Sequence, residues 1–153
     1  MGVGSPHPQV AAMIDGTSSD YWKLADTNAP VTYINHFIRG VPYGRDKVMG
    51  NLQAPKDWSE QIKIQTKGLP RVKEACALNV TFLLPPDKYP KDFPYGSDLD
   101  NLLKRLLDGL NETIFADAQG HDSCVVILHV MKTKVASYEE SGAHIEVLPV
   151  SVS

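Results

Sequence analysis

One stretch of the sequence, residues 97–110 (Ser-Asp-Leu-Asp-Asn-Leu-Leu-Lys-Arg-Leu-Leu-Asp-Gly-Leu), constrains the fold of this chain more than any other. Its leucines recur at the i, i+3, i+4, i+7 spacing of one helical face, which predicts an amphipathic helix packed on a core. Asp98 stands at the expected N-cap of that helix. Asp100, Lys104 and Asp108 follow at four-residue steps and form one polar ridge beside the leucines. The stretch therefore predicts a packed helix with carboxylates at its start.

Ordinary helix chemistry also accounts for much of this pattern. An aspartate at a helix start interacts favourably with the helix dipole. Asp100 and Lys104 form an i, i+4 pair of the kind that stabilises a helix by about 0.3–0.5 kcal/mol. A functional interpretation of the carboxylates therefore depends on the rest of the sequence.

Length and composition predict one globular domain. The chain has 153 residues, of which 42% are hydrophobic and 22% charged, values ordinary for a globular protein. No apolar run approaches the roughly 18 residues of a membrane span, and no basic segment precedes an apolar one at the N-terminus, so we expect a cytoplasmic protein without a membrane partner. Cys76 and Cys124 show no CxxC pattern and are typical of core cysteines in a reduced compartment.

The pattern of strands and helices predicts an α/β (α+β) fold in β-α-β-α-β-β order, with a small mixed sheet and helices packed on one face. Residues 1–30 are expected to form a loosely ordered N-terminal extension with one helical turn near 21–24, and residues 31–153 the domain. Strands are predicted at 31–38, 76–84, 124–132 and 144–150. Besides the helix at 98–110, the capping-box spacing of residues 57–60 (Asp-Trp-Ser-Glu) predicts a short helix that starts there.

Carboxylates gather around the longer predicted helix and the loop after it. The helix start and the loop before the third strand are expected to bring four of them to one edge of the sheet, namely Asp98, Asp100, Asp117 and Asp122. Carboxylates placed so closely repel one another unless they surround a divalent cation, and oxygen ligands suit Mg²⁺ or, alternatively, Mn²⁺. Such a site can hydrolyse a phosphodiester, and Lys104 could offset the charge of the phosphate.

Basic residues are concentrated between residues 39 and 73, although the formal net charge of the chain is -3. A basic segment beside an acidic centre could hold phosphates while the carboxylates hold cations, whereas a solvated surface of mixed charge is the alternative explanation. The residues predicted to bind DNA are Arg39, Arg45, Lys47, Lys63, Lys67, Arg71 and Lys73.

Two segments together resemble the signature of the RusA-type Holliday junction resolvases. The first is Asp-Leu-Asp-Asn-Leu-Leu-Lys at 98–104, and the second is His-Asp-Ser-Cys-Val-Val at 121–126, with Lys132 ten residues after Asp122. The resemblance covers about residues 80–150. It implies a homodimeric, Mg²⁺-dependent endonuclease that cuts four-way DNA junctions with paired, symmetric nicks.

The resemblance also implies residue roles. Asp98 and Asp100 match the paired metal carboxylates, Lys104 the catalytic lysine and Asp122 the third acid. We therefore expect the carboxyl groups of Asp98, Asp100 and Asp122 to converge on one site. Asp117 offers a rival alignment for the third acid, and His121 and Asn101 are additional candidate site residues.

Two other functions fit the same residues. The first is a non-catalytic DNA-binding dimer that keeps the fold. The second is a small metal-dependent enzyme that acts on a phosphorylated metabolite and would need a small closed pocket. A nuclease instead needs an open basic surface that reaches the carboxylates.

Overall fold

A computed structural model describes residues 22–24, 32–47, 49–88 and 95–152 of the chain. The described part has two α-helices and five strands, in the order β1 (Trp22–Leu24), β2 (Ile34–Arg39), α1 (Ala54–Thr66), β3 (Cys76–Leu84), α2 (Leu99–Leu110), β4 (Val125–Lys134) and β5 (Gly142–Val152), and three short 3-10 helices at Pro86–Lys88, His121–Cys124 and Tyr138–Glu140. The structure confirms the predicted α+β class, and the bounds of β3 agree with the prediction.

The sheet is mixed, as the sequence predicts. Strand β5 pairs antiparallel with β3 on one side and with β2 and β1 on the other, while β3 and β4 run parallel. Within the described residues, β4 has a neighbour on one side only and is therefore an edge of the sheet.

One hydrophobic core lies between the sheet and the two helices. Alternate residues of β3, including Leu78, Val80 and Phe82, are buried there, as expected for a strand with one face on the core. The leucine face of α2 and residues Trp58 and Ile62 of α1 cover them. In the described part of the chain, no helix is long and apolar enough to cross a membrane.

Two local predictions are wrong. Helix α1 begins at Ala54, with Pro55 in its first turn, so Asp57 lies inside the helix instead of capping it. Proline fits the first turn because its missing N–H has no partner there. Residues 22–24 form a strand on β5 and not a helical turn. The other residues of the predicted extension, 1–21 and 25–30, lie outside the described residues.

Helix α2 connects the parallel strands β3 and β4, and this connection positions the candidate site. Because the helix runs back against the two strands, it starts at their carboxyl ends and ends at their amino ends. Its 12 residues span about 18 Å. Groups at the two ends of α2 are therefore well separated within one chain.

Candidate metal and nucleic-acid site

Asp98 directly precedes the first turn of α2, and its carboxylate is not bonded to the helix as a cap. Its backbone is extended (φ -65°, ψ 142°), as at an N-cap, yet its side chain makes no capping hydrogen bond. The side chain is exposed. The predicted N-cap position is confirmed, but the capping interaction that would explain this aspartate is not formed.

Asp100 and Lys104 lie on the exposed side of α2. The Oδ1 atom of Asp100 accepts a hydrogen bond from the backbone N–H of Asn101 at 2.9 Å. Lys104 follows one turn later, about 5.4 Å further along the helix axis. It lines a groove of about 230 Å³ together with Lys63 and Asp108. Both charged groups predicted beside Asp98 are thus accessible to a ligand.

A cleft of about 350 Å³ places basic side chains beside the start of α2. Arg45 and Lys47, which come from the loop between β2 and α1, line the cleft together with Asp98 and Asn101. Both basic side chains are exposed, and the Lys47 Nζ atom lies 5.0 Å from the centre of the Tyr43 ring. The structure therefore brings two of the predicted DNA-binding residues to the first predicted metal carboxylate.

Lys132 of β4 also reaches this end of α2. Its Nζ atom donates a hydrogen bond to the backbone carbonyl of Ser97, at 2.7 Å, one residue before Asp98. The lysine that closes the second motif is therefore adjacent to the first motif. The result is a mixed-charge surface in which Asp98 has Arg45, Lys47 and Lys132 in its neighbourhood.

Asp122 lies at the opposite end of α2. Its Oδ2 atom accepts a hydrogen bond from Asn111 Nδ2 at 2.9 Å, and Asn111 is the C-cap of α2. The expected convergence of Asp98, Asp100 and Asp122 within one chain is therefore wrong. The reason is the parallel pairing of β3 and β4, which requires α2 to carry the chain from one end of the sheet to the other before Asp122 is reached.

Asp117 lies near the same C-terminal end and does not replace Asp122 at the Asp98 site. Its carboxylate is 3.8 Å from Arg71 Nε, and Arg71 belongs to the segment leading into β3. His121 is exposed and has a left-handed backbone, with φ of 52°. Among residues 22–24, 32–47, 49–88 and 95–152, no three His, Cys, Asp or Glu side chains come close enough to hold a metal ion.

The remaining predicted DNA-binding residues are spread along the chain's surface. Arg39 stacks over the ring of Phe37, with 5.8 Å between Cζ and the ring centre. Lys63 pairs with Glu112 at 3.2 Å. Lys67 and Lys73 are exposed on either side of Arg71. Arg45 and Lys47 are the two that line the cleft at Asp98.

The sequence does not predict two residues that contact the candidate site: Arg105, which contacts the loop beside Asp98, and Asn111, which contacts Asp122. Arg105 joins α2 to the loop that carries Arg45 and Lys47 through two hydrogen bonds. Asn111 holds Asp122. No local signal distinguishes Arg105 from a solvated helix arginine, since its partners lie 46–61 residues away in sequence. Asn111 follows the predicted helix directly, and a C-cap role could be read from that position.

The two cysteines lie together at the Asp122 end. Both are free thiols; Cys76 is fully buried in β3, and Cys124 is half-buried just before β4. Burial raises the pKa of the Cys76 thiol, and its contact with Cys124 raises it further. Burial also raises the pKa of Cys124, against the hydrogen bond with Cys76 that lowers it. Both side chains therefore favour the neutral thiol form.

Comparison with known proteins adds no family to these observations. No protein-family model matches the chain, and no curated protein matches it.

Proposed function

We propose that this chain is a Mg²⁺-dependent endonuclease of the RusA type that resolves four-way DNA junctions as a homodimer. The observation that carries the proposal is the pair of exposed aspartates at the start of α2, beside a cleft lined by Arg45 and Lys47. Asp98 makes no capping hydrogen bond, so its carboxylate is available to a cation. The basic residues beside it suit the phosphates that flank a cleaved bond.

The open shape of the region favours a polymeric substrate over a small metabolite. Asp98, Asp100, Arg45 and Lys47 are all exposed, whereas a site for a small phosphorylated molecule is usually a concave pocket that buries most of its ligand. A DNA strand can cross such a surface and present one phosphate to the carboxylates.

Two carboxylates from one chain are few for a Mg²⁺ site that must also hold a phosphate. A second copy of the chain, related by a two-fold axis and with its α2 antiparallel to the first, supplies the third. In that arrangement Asp122 of each copy lies beside Asp98 and Asp100 of the other. The length of α2, about 18 Å, then separates two composite sites, each of which is built from both copies.

Strand β4 is the edge on which such a dimer would form. The strand has no described partner on its outer side and exposes Leu128 (42%) and Met131 (46%). Asp122 stands just before it and Lys132 near its end. Antiparallel pairing of two β4 strands would bring the acidic end of each against the basic end of the other, so the edge is complementary to itself in charge.

In the proposed site, Asp98 and Asp100 with the second copy's Asp122 would hold Mg²⁺. The ion would lower the pKa of the attacking water and offset charge on the leaving oxygen. Lys104, one turn after Asp100, would offset charge on the phosphate. Arg45 and Lys47 would bind the neighbouring phosphates and orient the strand across the carboxylates.

Cleavage of a labelled synthetic four-way junction tests the proposal. We expect symmetric nicks in Mg²⁺ or Mn²⁺ and none in EDTA. Asp100→Asn should abolish cleavage while junction binding persists, because the amide keeps the size of the side chain and loses the charge that holds the ion. Asp108→Asn is the matched control, since Asp108 is an exposed α2 aspartate two turns further on.

Other outcomes discriminate among the alternatives. Tight junction binding without cleavage in either metal would favour the non-catalytic DNA-binding dimer. A stable monomer that binds junctions no better than linear duplex would contradict the resolvase proposal and favour the metabolite enzyme. Full activity of Asp100→Asn would show that Asp100 only interacts with the helix dipole.

A further inference from the structure

Arg105 is the most extensively bonded charged side chain near the candidate site. Its Nε atom donates to the Gly44 carbonyl at 3.2 Å, and its Nη1 atom donates to the Pro55 carbonyl at 3.3 Å and to Ser59 Oγ at 2.7 Å. Its Nη2 atom donates to Asp46 Oδ1 at 2.7 Å. The side chain is 17% exposed. Arg105 therefore connects α2 both to the loop before α1 and to the first turns of α1.

The loop that Arg105 holds carries the basic residues of the cleft. Residues 44–47 all line the cleft beside Asp98, and Gly44 and Asp46, which Arg105 contacts, alternate with the basic Arg45 and Lys47. Because the residues alternate along the chain, holding Gly44 and Asp46 in place also limits where Arg45 and Lys47 can lie. The described residues of this loop, 40–47 and 49–53, contain no helix or strand, so side-chain contacts have a large share in setting the loop's position.

A second contact presses the same loop against α2. A Cβ atom at Gly44 would lie 2.7 Å from Asn101 Cβ, closer than side chains can approach. The loop backbone thus lies directly on the first turn of α2, the turn that follows Asp98. Arg105 and the Gly44 contact act on the same segment from two positions along the helix.

We propose that Arg105 is a positioning residue for phosphate binding: it holds residues 43–47 on α2 so that Arg45 and Lys47 can bind DNA phosphates beside Asp98. This inference rests on the proposed function. Arg105 itself is not the phosphate ligand, because its guanidinium is largely buried and already donates to four acceptors. Lysine cannot replace it, since an ammonium lacks the planar fork that reaches acceptors on two sides.

The test measures binding of a fluorescent four-way junction, in EDTA to prevent cleavage, as a function of salt concentration. Arg45→Ala with Lys47→Ala should lower the slope of log K against log salt by about two units, because two phosphate contacts are lost. Arg105→Lys keeps the charge but should lower the slope by a similar amount. Lys56→Ala, which removes an exposed α1 charge away from the cleft lining, is the control and should lower it by less than one unit.

The combination of these variants separates positioning from direct contact. If Arg105 acts only through the loop, adding Arg105→Lys to the Arg45→Ala, Lys47→Ala double variant should leave the slope where the double variant has it. A further fall would show that Arg105 binds DNA directly and would overturn the inference. A wild-type slope in Arg105→Lys alone would overturn it as well.

Amide hydrogen exchange gives a measurement that does not depend on DNA. We expect faster exchange at residues 43–47 in Arg105→Lys and in Gly44→Ala, with α2 unchanged. If Arg105 variants do not fold, Ser59→Ala and Asp46→Ala each remove one acceptor and should show the same change on a smaller scale. Unchanged loop exchange in all four variants contradicts the inference. If the Arg45, Lys47 double variant binds DNA normally while loop exchange rises in Arg105→Lys, the loop is positioned as inferred but the proposed DNA function fails at this cleft.

Discussion

Aspartates lie at both ends of α2, but their surroundings differ. At the start, Asp98 and Asp100 are exposed, and Asp98 makes no capping hydrogen bond. At the end, Asp122 is half-buried and bonded to Asn111, and Asp117 lies against Arg71. Asp98 and Asp100 are exposed, and Asp100 accepts a hydrogen bond from the adjacent backbone N–H of Asn101, whereas Asp122 and Asp117 contact the side chains of Asn111 and Arg71.

The helix dipole explains much of this difference. The positive end of a helix interacts favourably with carboxylates near its first turn, where Asp98 and Asp100 lie. The negative end disfavours a nearby carboxylate, and there Asp122 accepts a hydrogen bond from Asn111 Nδ2. A carboxylate that needs no protein partner is the better first ligand for a metal ion, while one held by an amide is placed accurately and can complete a site supplied mainly by another chain.

The largest expected effect comes from mixing two inactive variants. Asp100→Asn disables the first end of α2 and Asp122→Asn the second, and each should abolish cleavage alone. In the proposed antiparallel dimer, a mixed pair has one site built from two intact ends. Mixing equal amounts should therefore restore nicking to about a quarter of the wild-type number of sites. The readout is the nicked product, since a mixed dimer cuts one strand.

Recovery requires exchange of subunits, so the variants should be unfolded and refolded together, with separately refolded samples mixed at assay as the control. No recovery after joint refolding would place Asp122 outside the site of a second copy. Full activity of Asp122→Asn alone would remove the C-terminal end of α2 from the chemistry altogether.

The next effect concerns packing at the C-terminal end. A Cβ atom at Gly109 would lie 2.6 Å from Ile62 Cγ2 and 3.1 Å from Ile62 Cβ. Gly109→Ala should therefore lower the free energy of unfolding by about 1–3 kcal/mol, despite the better helix propensity of alanine. Gly68→Ala is the matched control, because a Cβ atom there meets nothing within 4 Å. Thermal or urea unfolding measures both, and equal stabilities would show that α1 shifts without cost.

The aspartates themselves should differ in their effect on folding. Asp122→Ala loses the bond from Asn111 and should reduce stability by about 1 kcal/mol. Asp98→Ala loses an exposed side chain that makes no capping bond and should change stability by less than about 0.5 kcal/mol. Urea unfolding in EDTA checks this difference. A larger loss for Asp98→Ala than for Asp122→Ala would reverse the comparison of the two ends.

The helices and strands are predicted well from the sequence, whereas the contacts between them are predicted poorly. The bounds of β3 and α2 follow from local apolar periodicity and from Pro85, which directly follows β3. The position of Asp122 depends instead on whether β3 and β4 pair parallel or antiparallel. That choice is made by long-range packing, and the residues of the two strands do not encode it locally.

The same limit applies to Arg105, whereas the start of α1 is an error of another kind. The capping-box spacing at Asp57 is present in sequence, but Pro55 starts α1 earlier and the box is not used. Arg105 has the appearance of any exposed helix arginine until residues 44–59 fold against it. The first error is a choice between two local signals, and the second arises because the partners of Arg105 are distant in sequence.

The smallest expected effect is a pH dependence at the C-terminal end. Burial raises the pKa of the Cys76 thiol in the folded chain, so the folded state keeps its proton at pH values where the unfolded thiol, with a pKa of about 8.5, ionises. The contribution of the Cys76 thiol to the free energy of unfolding is fully present below about pH 8.5. Above that pH it falls by at most about 1.4 kcal/mol per pH unit. Urea unfolding between pH 7 and 10 should show a shallower decline in Cys76→Ala than in the wild type, whatever its stability at pH 7. Asp98 and Asp100 lie at the other end of α2, so the Asp98→Ala and Asp100→Asn variants should keep the wild-type decline. Equal slopes for Cys76→Ala and the wild type would show that Cys76 ionises in the folded chain as readily as in the unfolded one.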